Sequence, residues 1–90
     1  MSLEQLHPVS HVIATATEDG MVLADPLQGT VRVLNEVGAL IWGWLSQGMS
    51  TTEMERLLAA RYDIAPDKAA ADLRSFLAQL HTAGLIGPPA

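Results

Sequence analysis

Ninety residues, 49% of them apolar and 17% charged, describe one globular domain rather than a disordered chain. Ten acidic residues against five basic ones leave a formal charge of −5, which disfavours general nucleic-acid binding because that depends on lysine and arginine neutralising phosphates. The absence of cysteine excludes disulfides, zinc–thiolate sites and thiol nucleophiles.

Residues 1–8 read as a loose lead-in ending at Pro8. From there to residue 34 the chain reads as short strands broken by turns. "HVIATAT" is rich in β-branched residues, "EDG" at 18–20 signals a turn, and "MVLAD" follows. "PLQG" at 26–29 turns the chain again into "TVRVL" at 30–34, which completes an antiparallel meander of three strands. In this last strand Val31 and Val33 share one face and Thr30, Arg32 and Leu34 the other, so if the valines face inward the other three face away.

The second half is helical. Asn35 can cap a helix in which Val37, Leu40, Ile41, Trp44 and Leu45 recur at helical spacing, and Gly48 suits the position just past its end. Ser50 and Glu53 have capping-box spacing at the start of a second helix buried through Met54, Leu57 and Leu58. "YDIAPDK" breaks that helix, and Pro66 fits the first turn of a third. There Ala69, Leu73, Phe76, Leu77 and Leu80 form one apolar face, ended by Gly84, and "GPPA" reads as a frayed end. The expectation is an α+β domain spanning 1–90, with strands about 9–34 and helices about 35–85, and with the parts of a winged helix-turn-helix.

Chemistry is hard to place on this frame. His7 and His11 have the spacing of two ligands on a helix, but Pro8 and the β-rich residues after it argue against a helix there. His81 suits the helix dipole near the end of the third helix. Ser10, Ser46, Ser50 and Ser75 lie in no nucleophile motif, and Asp63, Asp67 and Asp72 do not match a calcium loop. No enzyme, cofactor or metal is expected. No secretory pattern is visible and no apolar run approaches the ~18 residues of a membrane span, so the chain reads as cytoplasmic, with no membrane partner. A helix-turn-helix reading of DNA needs a basic face, whereas Arg56 and Arg61 share their helix with Glu53 and Glu55. On the third helix Lys68, Arg74 and Gln79 are set among Asp67 and Asp72. Nucleic acid is the weaker reading.

An open sheet edge remains. "TVRVL" is β-rich, blunted only by Arg32, and can accept an extended peptide through its backbone unless the N-terminal segment covers it.

"LNEVGALIWGWLSQGMSTTEMERLLAARYDIAPDKAAADLRSFLAQLHTAGLI", residues 34–86, resembles the PqqD-like family, also described as RiPP recognition elements. The matching features run in order: the "LNE" helix start, the "A-L-I-W" run, the "S-x-x-E" helix, the "Y-D-I-x-P" junction and a long helix ending "G-L-I". Ala65 departs from the capping aspartate common before this proline, leaving Asp63 as the alternative cap. The resemblance implies a small winged-helix domain that binds the leader segment of a ribosomally made precursor peptide. The leader adds as an antiparallel strand to the third strand, here Thr30, Val31, Arg32, Val33 and Leu34. The wall of the cleft is implied to come from Ala69, Asp72, Leu73, Phe76 and Leu77, with Phe76 holding an apolar or aromatic leader side chain. Arg32 and Asp72 are implied to make charged contacts that set register. Core packing is an equal reading for Leu73, Phe76 and Leu77 taken singly, and Trp42 and Trp44 are scaffold, with Trp44 continuing the apolar stripe. A free-standing chain implies the lasso-peptide setting, where the partners are a leader peptidase and then a cyclase. The alternatives are a pyrroloquinoline-quinone-type peptide chaperone for a radical enzyme and a small winged-helix DNA-binding regulator.

Overall fold

A computed structural model describes residues 6–88. The elements run β1 (His7–Pro8), β2 (Ile13–Thr17), β3 (Gly20–Asp25), β4 (Thr30–Asn35), α1 (Glu36–Ser46), α2 (Thr51–Tyr62), α3 (Pro66–Thr82) and β5 (Ile86–Gly87). The meander is a three-stranded antiparallel sheet in the order β2-β3-β4. With three helices following, the class is α+β, as expected.

The inward face of β4 is the one carrying Thr30, Arg32 and Leu34, not the one carrying the valines. Met21 pairs with Leu34 and Leu23 with Arg32, so these four side chains share a face, and that face meets the helices. Leu34 is 4% exposed, whereas Val31 and Val33 stand outward at 68% and 74%. The parity is decided by the leucines: Leu23 and Leu34 each bury a full side chain in the core, worth about 1.5–3 kcal/mol apiece, against a smaller loss from leaving two valines in water.

The ends of the chain also depart from expectation. The lead-in and the tail find each other: His7 pairs with Gly87 and Pro8 with Ile86, and Val9 N–H donates to Leu85 O at 2.9 Å. Leu6, Leu85 and Ile86 are buried, so this clasp is anchored in the core, while the rest of the expected lead-in and frayed end, residues 1–5 and 89–90, lies outside the described residues. The described part of the N-terminal segment is thereby used at β5, away from β4.

Each helix begins in its own way. Asn35 Oδ1 accepts from Gly38 N–H at 2.8 Å, which satisfies one orphan donor of α1. Ser50 Oγ accepts from Glu53 N–H at 3.2 Å, but the Glu53 carboxylate turns to Arg56, so only half of a capping box forms. Asp63 does not cap α3. It closes α2 in the left-handed region, at φ 51° and ψ 50°. Ala65 occupies the cap of α3 with no side-chain bond, and Pro66 follows at the start of the helix.

Ile41, Trp42 and Leu45 of α1, Met54 and Leu58 of α2, and Ala69, Leu73, Leu77 and Leu80 of α3 complete the core. Trp42, at 4% exposed, is the buried tryptophan. Trp44 is half-buried beside Leu40, Leu57 and Arg61. No helix of the described residues is long and apolar enough to cross a membrane.

Candidate functional site

The sheet order leaves β2 and β4 with one long side each that no strand of the described residues occupies. Backbone N–H and C=O groups along such a side are donors and acceptors in search of partners. On β4 that open side faces a groove whose other wall is α3. Three adjoining hollows follow the groove from one end to the other.

The first, about 270 Å³, lies between the starts of α1 and α3 and the end of α2, and its lining includes Asn35, Gly38, Ile41, Tyr62, Asp72 and Phe76. The second, about 440 Å³, is bounded by Arg32 on one side and by Ser75, Ala78, Gln79, Thr82 and Ala83 on the other. The third, about 310 Å³, takes in Gln28, Thr30, Val31, Arg32 and Leu85. Walking β4 backwards from Asn35 to Thr30 therefore matches walking α3 forwards from Asp72 to Ala83. The tract is apolar at the Phe76 end, and in the middle a neutral wall on α3 faces the charged Arg32.

The residues singled out from the sequence divide between this groove and the core. Thr30, Val31 and Arg32 line it, Val33 projects from the outer sheet face, and Leu34 is in the core beneath the strand. On α3, Asp72 and Phe76 stand at the first hollow, where Ala69 and Leu73 form part of the lining while nearly fully buried. Leu77 is buried and lines none of the three hollows. Sequence reasoning missed the stripe Ser75, Ala78, Gln79 and Thr82. Its spacing of three and four was the available signal, since these positions share one side of α3 next to the apolar stripe.

Asp25 organises the end of the groove near Thr30. The residue is 1% exposed. Oδ1 accepts from Leu27 N–H at 3.0 Å and from Gln28 N–H at 3.1 Å, which builds the turn between β3 and β4. Oδ2 accepts from Gln28 Nε2 at 2.7 Å, and the same amide donates to Ala83 O at 3.2 Å, tying the turn to the end of α3. His11 Nε2 stands 3.0 Å from Oδ1, within Coulombic reach but not aligned as a hydrogen bond. Burial pushes the Asp25 carboxyl up, yet the Gln28 side chain and backbone together with His11 outweigh it and hold the carboxyl below its ordinary 3.8. At the opposite end, the Tyr62 hydroxyl is buried without a hydrogen-bond partner and its residue lines the first hollow.

The arrangement suits binding: an unpaired strand side, a groove with one apolar end, and a clamped turn at the other. Among the described residues no group of three His, Cys, Asp or Glu could hold a metal.

Comparison with known proteins follows the same lines. The family model for coenzyme PQQ synthesis protein D (PqqD) matches residues 20–86. Curated proteins give no match. Among solved structures, TbiB1 in complex with the TbiA(beta) leader peptide is 28% identical with a TM-score of 0.86, covering 93% of this chain and 98% of that one. Lasso peptide synthetase B1 complexed with the leader peptide is 26% identical, also with a TM-score of 0.86, over 93% of this chain and 99% of that one. The family match begins at the first residue of β3 and ends in β5, so it takes in both walls of the groove, and the chain belongs to the PqqD family.

Proposed function

We propose that this protein is a non-catalytic recognition module that binds the leader segment of a ribosomally made precursor peptide. The leader adds as an antiparallel strand along the open side of β4, against α3, and is presented to a leader peptidase during lasso-peptide maturation, with a cyclase acting afterwards. One observation carries the reading: the open side of β4 runs beside a groove, in a chain whose structural neighbours are complexes with leader peptides.

Magnitudes say what the groove must contribute. Ordering six residues of a peptide costs about 6–12 kcal/mol in backbone entropy. About six hydrogen bonds to the strand side return about 3–9 kcal/mol net. The backbone alone does not reach useful affinity, so side chains seated in the hollows decide which peptide binds. Phe76 and its surroundings, at the apolar end, are the principal seat, and Asp72 beside it contributes to register.

The test is an anisotropy titration of a fluorescently labelled leader from the precursor gene neighbouring this one. Saturable binding, weakened by Phe76→Ala, is the expected result. No binding to that leader overturns the reading. Addition of the neighbouring peptidase tests presentation, since precursor cleavage should depend on this protein. The family match favours one second reading, delivery of a quinone-type precursor to a radical enzyme. Binding of that precursor in place of a lasso leader would select it. Duplex-DNA affinity that falls steeply with salt would instead select a winged-helix regulator.

A further inference from the structure

Among the described residues, Arg32 is the only charged one lining the middle and far hollows of the groove. Facing it across the middle hollow are Ser75, Ala78, Gln79 and Thr82, all neutral. Among the described residues, the acid–base contacts join Asp25 to His11, Glu53 to Arg56 and Asp72 to Lys68, and none involves Arg32. The chain has ten acids and five bases, so an anion for Arg32 was easily supplied, yet none of the described residues places one there. A half-buried guanidinium so placed carries part of the cost of desolvation with no anion to offset it. Its planar fork is suited to a carboxylate held in two parallel hydrogen bonds.

The register says where that carboxylate would come from. Thr30, Arg32 and Leu34 share the face of β4 that meets the helices. In a strand added antiparallel to β4, the residue opposite Arg32 points its side chain to the same face, about 4.5–5.5 Å away at Cβ. The residue two positions earlier in the peptide lies opposite Leu34, at the apolar hollow lined by Gly38 and Phe76. The residue two positions later lies opposite Thr30, beside the Gln28–Ala83 clamp.

We infer that the groove selects peptides with an aspartate or glutamate opposite Arg32, two residues C-terminal to an apolar side chain seated beside Phe76. This rests on the leader-binding reading above and adds the chemistry of the recognised segment to it. The negative charge of the protein works against acidic peptides in general, so one positioned carboxylate is favoured over an acidic tract.

The experiment is selection from a displayed library of random peptides of about ten residues, the length of a long strand. It is run in parallel on the wild-type chain, Arg32→Gln, Arg32→Lys and Arg32→Glu, each first shown to be folded by circular dichroism and thermal unfolding. Wild type should enrich an apolar residue followed two positions later by Asp or Glu. Arg32→Gln should keep the apolar preference and lose the acidic one, and Arg32→Lys should restore it in part. Arg32→Glu should enrich Lys or Arg at the same position. A selected peptide should bind Arg32→Gln about tenfold or more weakly than wild type, and a peptide with the acid replaced by its amide should bind both alike. Wild-type peptides with no acidic preference, or one unchanged in Arg32→Gln, overturn the inference and leave leader binding standing. A wild-type chain that enriches nothing and binds no leader in the titration overturns both.

Discussion

Replacing Gly38 by alanine measures how closely the first hollow is built. A methyl group there would stand 3.2 Å from Leu34 Cβ, 3.2 Å from Phe76 Cζ and 3.4 Å from Asn35 Oδ1. The first two distances require the neighbours to retreat by a few tenths of an ångström. Phe76 can, because the contact is with the far end of a rotatable ring. Leu34 Cβ cannot, because it is fixed to backbone paired with Met21. Exchanging glycine for alanine in α1 gains about 0.8–1 kcal/mol of helix propensity, while overpacking costs about 1–3 kcal/mol. The expected balance is a destabilisation of about 1 kcal/mol, a fall in Tm of about 4–8 °C for a domain of this size. Urea unfolding followed by tryptophan fluorescence reads it, with the buried Trp42 as reporter. In a Phe76→Ala background one of the two obstructions is gone, so the cycle should show a coupling of about 0.5–1 kcal/mol. A Gly38→Ala protein as stable as wild type, or equally destabilised in both backgrounds, would refute the reasoning.

Three further outcomes are expected. Asp25 has a folded pKa below 3.8, so its ionised form contributes stability that is complete above 3.8 and lost as pH falls through the lower folded value. Urea midpoints should therefore drop in that acid range for wild type and flatten there in Asp25→Asn; an unchanged acid slope would remove Asp25 from the account. Ala65→Asp should supply the missing cap of α3 and raise stability by about 0.5–2 kcal/mol, seen as a higher urea midpoint, whereas a loss would mean that Asp63 and Asp67 repel it more than the cap gains. N-methylation of alternate backbone amides of a bound leader should weaken it strongly in one phase of the alternation and slightly in the other. Equal effects at every position would argue against strand addition in the anisotropy assay.

Most of the architecture was legible because local signals agreed with one another. Asn35 as the cap of α1, Ser50 at the start of α2 and Pro66 at the start of α3 all stand where their chemistry places them. What failed was information that only tertiary pairing carries. β-branched residues mark a strand but not its inner face, so the parity of Val31 and Val33 stayed open until pairing put Leu23 and Leu34 on the core side. The tryptophans show the same thing on a helix: both are apolar, and only tertiary packing makes Trp42 the buried one. The groove was half visible. An apolar stripe can be read from spacing, but the neutral stripe from Ser75 to Thr82 gains its meaning only from standing across from Arg32. Asp25 stood only as the last residue of "MVLAD", and nothing local announced that it would reach His11 and, through Gln28, the end of α3.

The pairing of β1 with β5 has a consequence for how this domain can be combined with others. Its first and last strands are hydrogen-bonded neighbours, and β2, β3 and β4 form a separate sheet. A fold entered and left at one spot can be spliced into a loop of an enzyme, or joined to either side of one, without stretching the host or moving β4 and α3 relative to each other. The same closeness favours a circularly permuted form, in which a short linker joins residues 88 and 6 and new ends are opened at the turn holding Glu18 and Asp19. Portability, on this view, comes from a two-residue strand at each end.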